Sequence, residues 1–135
     1  MAFQFSAATR NAALDAIETA TGASAVLKIR SGAAPASVAT ADSGTVLATL
    51  NLPADWLAAA AAGSKSLSGT WQDLSADATG TAAHFRVYAT DGTTAHIQGS
   101  ITATGGGGDM TLDNVSIAAG QSVSVTAFTL TAGGA

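Results

Sequence analysis

The chain has 135 residues, no cysteine, a formal net charge of −4 and only 10% charged side chains. That length suits one compact domain with its own core. The acidic balance and the scatter of the five basic residues exclude the basic patch that nucleic-acid binding needs. The missing cysteines exclude a disulfide framework, a thiolate zinc site and a cysteine nucleophile.

Charge this low is far below the roughly one quarter typical of soluble domains. Such a surface keeps a lone monomer poorly in solution, so the composition reads either as the Ser/Thr-rich surface of an ordinary β-protein or, the reading favoured, as a chain covered by neighbours. The start, "MAFQFSAATRNAALDAIE", lacks the basic head and continuous apolar run of a secretory signal. The longest apolar run, "WLAAAAAG", is too short to cross a bilayer. Synthesis in the cytoplasm is expected, with no membrane partner.

The first element predicted is a helix over "SAATRNAALDAIETATG". Ser6 can cap its N-terminus and Gly22 its C-terminus, because the first accepts an orphan N–H and the second tolerates positive φ. Leu14 and Ile17, with Ala13, Ala16 and Ala20, give a thin apolar stripe expected to lie on a sheet or a neighbouring chain. The period then changes to two. "AVLKIR" puts Leu27 and Ile29 on one face, and "TVLATLNL" does the same with Val46, Ala48, Leu50 and Leu52. The stretch between them, "SGAAPASVATADSG", reads as loop.

"PADWLAAAAAG" reads as a short helix or an ordered loop, and "SKSLSGTWQDL" as one strand carrying Leu67 and Trp71. "HFRVYATDGTTAHIQGSI" reads as a hairpin turning at Asp91-Gly92. A three-residue loop with a bulge at Gly92 pairs Phe85 with Ile97 and Val87 with Ala95, and makes one face wholly apolar. The other face then collects His84, Arg86, Tyr88, His96 and Gln98 as a polar ridge. Beyond the glycine run, Met110 and Leu112 point inward. In "SVSVTAFTLT" the apolar parity switches at Ala127-Phe128, as in a strand that bulges or changes sheets. "AGGA" reads as a free tail.

These elements predict an all-β fold: an antiparallel, jelly-roll-like sandwich of about seven strands with one N-terminal helix. Residues 1-135 form a single domain, with an arm and helix over 1-22, a β body over 25-131 and a tail over 132-135.

Little in the chain reads as reaction chemistry. His84 and His96 lack a third metal donor, and Arg86 beside them repels a cation. No nucleophile elbow is present. Most aspartates, among them Asp42, Asp77, Asp91 and Asp109, sit where side chains make turns. Asp109 and Asp113 lack EF-hand spacing for calcium. "TGGGGD" lacks the lysine of a phosphate loop. Trp56 and Trp71 suit a core or interface better than a sugar platform. No enzyme activity, metal or other cofactor is expected.

"HFRVYATDGTTAHIQGSITATGGGGDMTLDNVSIAAGQSVSVTAFTLT", with "AATRNAALDAIETATGASAVLKIRSGAAP" and "LPADWLAAAAAGSKSLSGTW", resembles a family of small virion structural proteins of tailed bacteriophages and prophages. The resemblance implies a capsid decoration or cement protein on the capsid surface. Its partners would be the major capsid protein and copies of itself, as a homo-oligomer. A tail or fibre-associated module, structural or binding host glycans, is the alternative. The expected contact elements are the N-terminal arm with its helix, the loop carrying Trp56 and the hairpin ridge. Arg86, Tyr88 and Trp56 are the expected anchors, with His84 and His96 beside them on the ridge.

Overall fold

The computed structural model describes residues 3 to 135. The chain is mostly β, with one helix, α1 (Ala7–Thr21), ahead of the strands. In chain order the strands are β1 (Val26–Arg30), β2 (Val46–Asn51), β3 (Ser64–Ser66), β4 (Trp71–Asp73), β5 (Gly80–Thr81), β6 (His84–Tyr88), β7 (Ala95–Ala103), β8 (Met110–Leu112), β9 (Ser116–Ile117), β10 (Val123–Val125) and β11 (Thr129–Thr131).

A curled sheet of five strands, in the order β2-β1-β6-β7-β8, forms the frame. Three two-stranded ribbons, β10-β4, β11-β3 and β5-β9, complete the β structure. The expected count of about seven strands is too low because several predicted strands are broken. "SKSLSGTWQDL" is two strands, β3 and β4, which pair with different partners. The parity switch at Ala127-Phe128 is a change of sheet, since β10 pairs with β4 and β11 with β3.

The sheet is mixed rather than wholly antiparallel, because β7 and β8 run parallel. Parallel neighbours usually need a crossover of about a dozen residues. Here the return is made by residues 104 to 109, with Gly105 and Gly107 at φ 89° and 81°. Positive φ at two positions lets the chain double back that tightly, which explains the glycine run structurally.

The β4-β10 ribbon continues the curl. The Asp73 carboxylate accepts the Thr49 N–H of β2 at 2.9 Å, and Leu47 C=O accepts the Asp77 N–H at 2.8 Å. On its far side β10 lies beside β8, with no backbone hydrogen bond joining them among the described residues. One seam of the curl is therefore stitched and the other open.

The core fills the inside of this curl. Leu27, Ile29, Leu50, Phe85 and Val87 of the sheet meet Trp56, Trp71 and Phe128. Trp71 stacks at a tilt on Trp56 (centroids 6.0 Å apart) and Phe128 (5.5 Å), and Phe85 meets Phe128 edge-on. Burying each such side chain contributes about 2–3 kcal/mol.

The hairpin keeps the expected faces with a different register. Phe85 pairs with Gly99, Arg86 with Gln98 and Val87 with Ile97, two residues from the expected pairing. A shift of two preserves which residues point inward, so the apolar face survives. The loop is longer than expected. Ala89 N–H donates to Thr94 C=O, and the extra residue, His96, sits in a bulge next to the Tyr88–Ala95 pair.

Ser6 Oγ accepts the Thr9 N–H at 3.1 Å, and Gly22, at φ 92°, closes α1 with its N–H on Glu18 C=O, as expected. The helix docks on β3 mainly through polar groups. Asn11 Oδ1 accepts the Gly63 N–H at 2.9 Å, and buried Lys65 donates to Asp15 Oδ1 at 2.7 Å. Of the expected apolar stripe only Leu14 is buried. Ala13, Ala16, Ile17 and Ala20 remain exposed. The tail is not free, because Ala132 N–H donates to Gly63 C=O and Gly134 C=O accepts the Phe5 N–H.

Candidate functional site

The residues expected to form a ridge sit on the face of the sheet turned away from the core. Alternation along β1 and β6 puts Arg30, His84, Arg86 and Tyr88 there together. The loop of residues 31 to 44 folds back across them as a strap. It buries almost no apolar side chain of its own, and Val38 is exposed. Polar side chains of the sheet hold it instead.

Arg86 makes the largest share of these contacts. Its Nη2 donates to the carbonyls of Ser37 (3.0 Å) and Thr40 (2.8 Å), and its Nη1 to Asp42 Oδ1 (2.8 Å). Its Nε and Nη2 also reach Gln98 Oε1, at 3.1 and 2.9 Å. Gln98 in turn donates to Pro35 C=O at 2.9 Å. Arg30 Nη2 donates to Asp42 Oδ2 at 3.0 Å and to the Tyr88 hydroxyl at 3.1 Å. That hydroxyl passes its own proton toward Asp42 Oδ1 at 2.7 Å. His84 Nδ1 lies 2.7 Å from Gly32 C=O, and since a carbonyl only accepts, Nδ1 carries the proton.

Asp42 is thus the hub, one carboxylate facing two guanidiniums and a phenol. Burial alone raises its carboxyl, but the Tyr88 hydrogen bond and the charges and hydrogen bonds of Arg30 and Arg86 outweigh it and hold the group below its usual value. Tyr88 moves the other way. Burial raises it first, and its hydrogen bond to Asp42 adds to that. Most donors here are spent on the strap or on a neighbour, with the buried Arg30 Nε left without a partner, so the arrangement acts as a clamp.

Four of the five anchors named from sequence are therefore inside the protein. Arg86 and His84 are 2% and 1% exposed, and Tyr88 and Trp56 are 0% exposed. The first three meet under the strap. Trp56 lies apart in the core, with its Nε1 donating to Gly22 C=O at 3.0 Å. The expected exposed ridge and its anchoring role are corrected for these residues, since each has its partners within the chain. His96 alone is exposed, at the hairpin bulge. Trp56 and Trp71 face each other inside, so they present no platform to a sugar ring.

Sequence reasoning missed Arg30 and Asp42. Asp42 reads as a turn-former, and no local signal separates it from Asp91, which does make its turn by accepting the N–H groups of Thr93 and Thr94. The available sign was indirect: two arginines that share one sheet face demand a carboxylate from elsewhere once that face is covered.

Among the large apolar side chains, Phe3 is 90%, Leu74 70% and Phe5 51% exposed, and Ala13, Ala16, Ile17 and Ala20 of α1 are uncovered as well. Among the described residues no three His, Cys, Asp or Glu side chains converge as metal ligands. Two shallow clefts flank β10. The one between β8 and β10 has a volume of about 380 Å³. Compared with known proteins, the chain matches no family model, no curated sequence and no solved structure.

Proposed function

We infer that this chain is an adhesive structural protein of a tailed-phage virion, in the first place a capsid decoration protein bound to the major capsid protein lattice. The observation that carries this reading is the division of the surface. The polar chemistry is turned inward to hold a strap, while the large exposed aromatic side chains, Phe3 and Phe5, precede in the chain a helix whose alanine-rich face is uncovered. Exposed apolar surface of this kind marks contact with other proteins. The resemblance of the sequence to small phage structural proteins supplies the particle.

The body suits that task as a sandwich-like unit, in which the curled sheet and the ribbons enclose one core. A protein that binds only the assembled lattice stabilises that state by mass action, and each small contact is multiplied over many copies. Contact through α1 and Phe3 also leaves the strap side unstrained, because none of its clamp has to open.

Co-sedimentation with purified phage heads tests the reading. The chain is expected to pellet with expanded, mature shells, and Phe3→Ser is expected to weaken this at least tenfold. A chain that stays in the supernatant with every form of the head overturns it.

A further inference from the structure

We propose that Arg30 Nε and His84 Nε2 form a proton-gated site beneath the strap for a small monovalent anion such as chloride. The site takes its anion once His84 carries a second proton.

Arg30 and His84 are direct partners across β1 and β6, so their side chains rise from the same face of the sheet. Both are buried, at 6% and 1% exposed. Each has one polar side-chain atom left over. Arg30 Nη1 donates to Gly44 C=O at 3.5 Å, and Nη2 donates to Asp42 and Tyr88. His84 Nδ1 donates to Gly32 C=O. Arg30 Nε and His84 Nε2 lie buried with no hydrogen-bond partner among the described residues. Gly44 shows that the two side chains converge. Its carbonyl takes Arg30 Nη1, and a Cβ built on it would stand 3.5 Å from His84 Cε1, the ring carbon bonded to Nε2. Two unpaired polar atoms buried on paired residues call for a ligand that satisfies both.

The proton on His84 decides which ligand fits. With Nδ1 holding the only ring proton, Nε2 accepts while Arg30 Nε donates, and a water serves both. With Nε2 protonated as well, both atoms donate. The matching ligand then only accepts, which describes an anion. The surrounding charge favours the same occupant. Arg30 and, further along the same face, Lys28 come from β1, and Arg86 comes from the strand of His84 itself. Asp42 is the only ionisable side chain in the strap. Despite its burial it is held low by Tyr88, Arg30 and Arg86, so it stays ionised at mildly acid pH. On β7, Ser100 pairs with His84 and donates its N–H and hydroxyl to Asp109. Burial and the bond to Asp42 raise the Tyr88 phenol, which stays uncharged. Three cations thus face two carboxylates before His84 adds a fourth, and both carboxylates are already engaged. An anion offsets the added charge where no acceptor of the chain reaches it. The strap over the site has no regular secondary structure and mostly exposed side chains, so local opening admits a small ion.

Histidine changes charge between about pH 5 and 8, and thermal unfolding is compared at those two ends. It is followed in sodium chloride and in sodium gluconate, a much bulkier anion, at equal ionic strength. An anion that binds the folded, protonated form stabilises it at the acid end, and the gain is lost as pH rises. Chloride is expected to raise the midpoint by about 3–5 °C at the acid end and to leave it unchanged at the other. Glu18 and the aspartates titrate alike in both salts and cancel in the comparison. His84→Gln is expected to abolish the chloride effect. The unaltered chain gives a second reading: in crystals soaked in bromide at the acid end, an anomalous peak is expected within hydrogen-bond reach of Arg30 Nε and His84 Nε2. Equal midpoints in the two salts at the acid end overturn the proposal, as does a chloride effect of the same size at both ends. A chloride effect that survives in His84→Gln, or bromide found only elsewhere, overturns it too.

Discussion

The Asp42 carboxylate accepts a hydrogen bond from Arg86 Nη1 at 2.8 Å, joining the end of a flexible-looking loop to a central strand 44 residues later. A second guanidinium, on Arg30, takes the other oxygen at 3.0 Å. The pair explains why two buried arginines are tolerated on a sheet face. Their charge is met partly by one carboxylate and partly by the backbone of the strap.

Replacing Asp42 by Ala leaves both guanidiniums without their counter-charge. Breaking a buried pair from one side costs about 3–5 kcal/mol, and the partial exposure of Asp42 lowers this to about 2 kcal/mol. Urea unfolding should show that loss, and amide exchange should show protection falling first over residues 31 to 44. A strap that stays protected in Asp42→Ala would mean that the backbone contacts of Arg86 suffice alone.

The same carboxylate sets an acid limit. Its folded pKa lies below the unfolded value, so its contribution is complete above the unfolded value of about 3.9 and is lost as pH falls through the folded one. Asp15 and Asp91 are lowered too, and act in the same direction. Stability measured against pH should therefore fall on the acid side of that point, and Asp42→Asn should flatten the fall.

Glu18 behaves oppositely. Burial raises its carboxyl, and one oxygen finds no partner, while Lys65 sits 3.9 Å away and is already engaged by Asp15. A raised folded pKa means a contribution present below the unfolded value and lost as pH rises. Glu18→Gln should raise the thermal midpoint at neutral pH, with the gain vanishing below about pH 4. A lower midpoint at neutral pH would show that the Lys65 contact outweighs the burial.

Two backbone positions give further checks. Gly99 lies opposite Phe85, and a Cβ there would come within 2.8 Å of the phenyl ring and 2.9 Å of the Asp109 Cβ. Gly99→Ala should cost about 1–3 kcal/mol by overpacking. Ala62, at φ 50°, occupies the first position of the tight turn that α1 grips through Gly63. Ala62→Asn should stabilise by about 0.5–1 kcal/mol, because asparagine accepts the left-handed conformation more readily.

How far the sequence carried varies by element. The helix and its caps were legible because Ser6 and Gly22 act locally. The inward face of the hairpin was legible because side-chain alternation survives a shift of two. Loop length and register were not, since Thr90 to Thr94 allow several turns and the bulge at His96 has no marker. The clamp was the least legible part. Strand alternation marks a face as polar, but whether that face meets water depends on where a distant loop lands. Only the tertiary path of residues 31 to 44 turned a presumed surface into an interior.

The proposed decoration role is tested most directly by mass-spectrometric counting of this chain in purified tailed-phage particles. The account predicts a copy number comparable to that of the major capsid protein. A chain missing from mature particles, or one that turns over a substrate when purified, would contradict it.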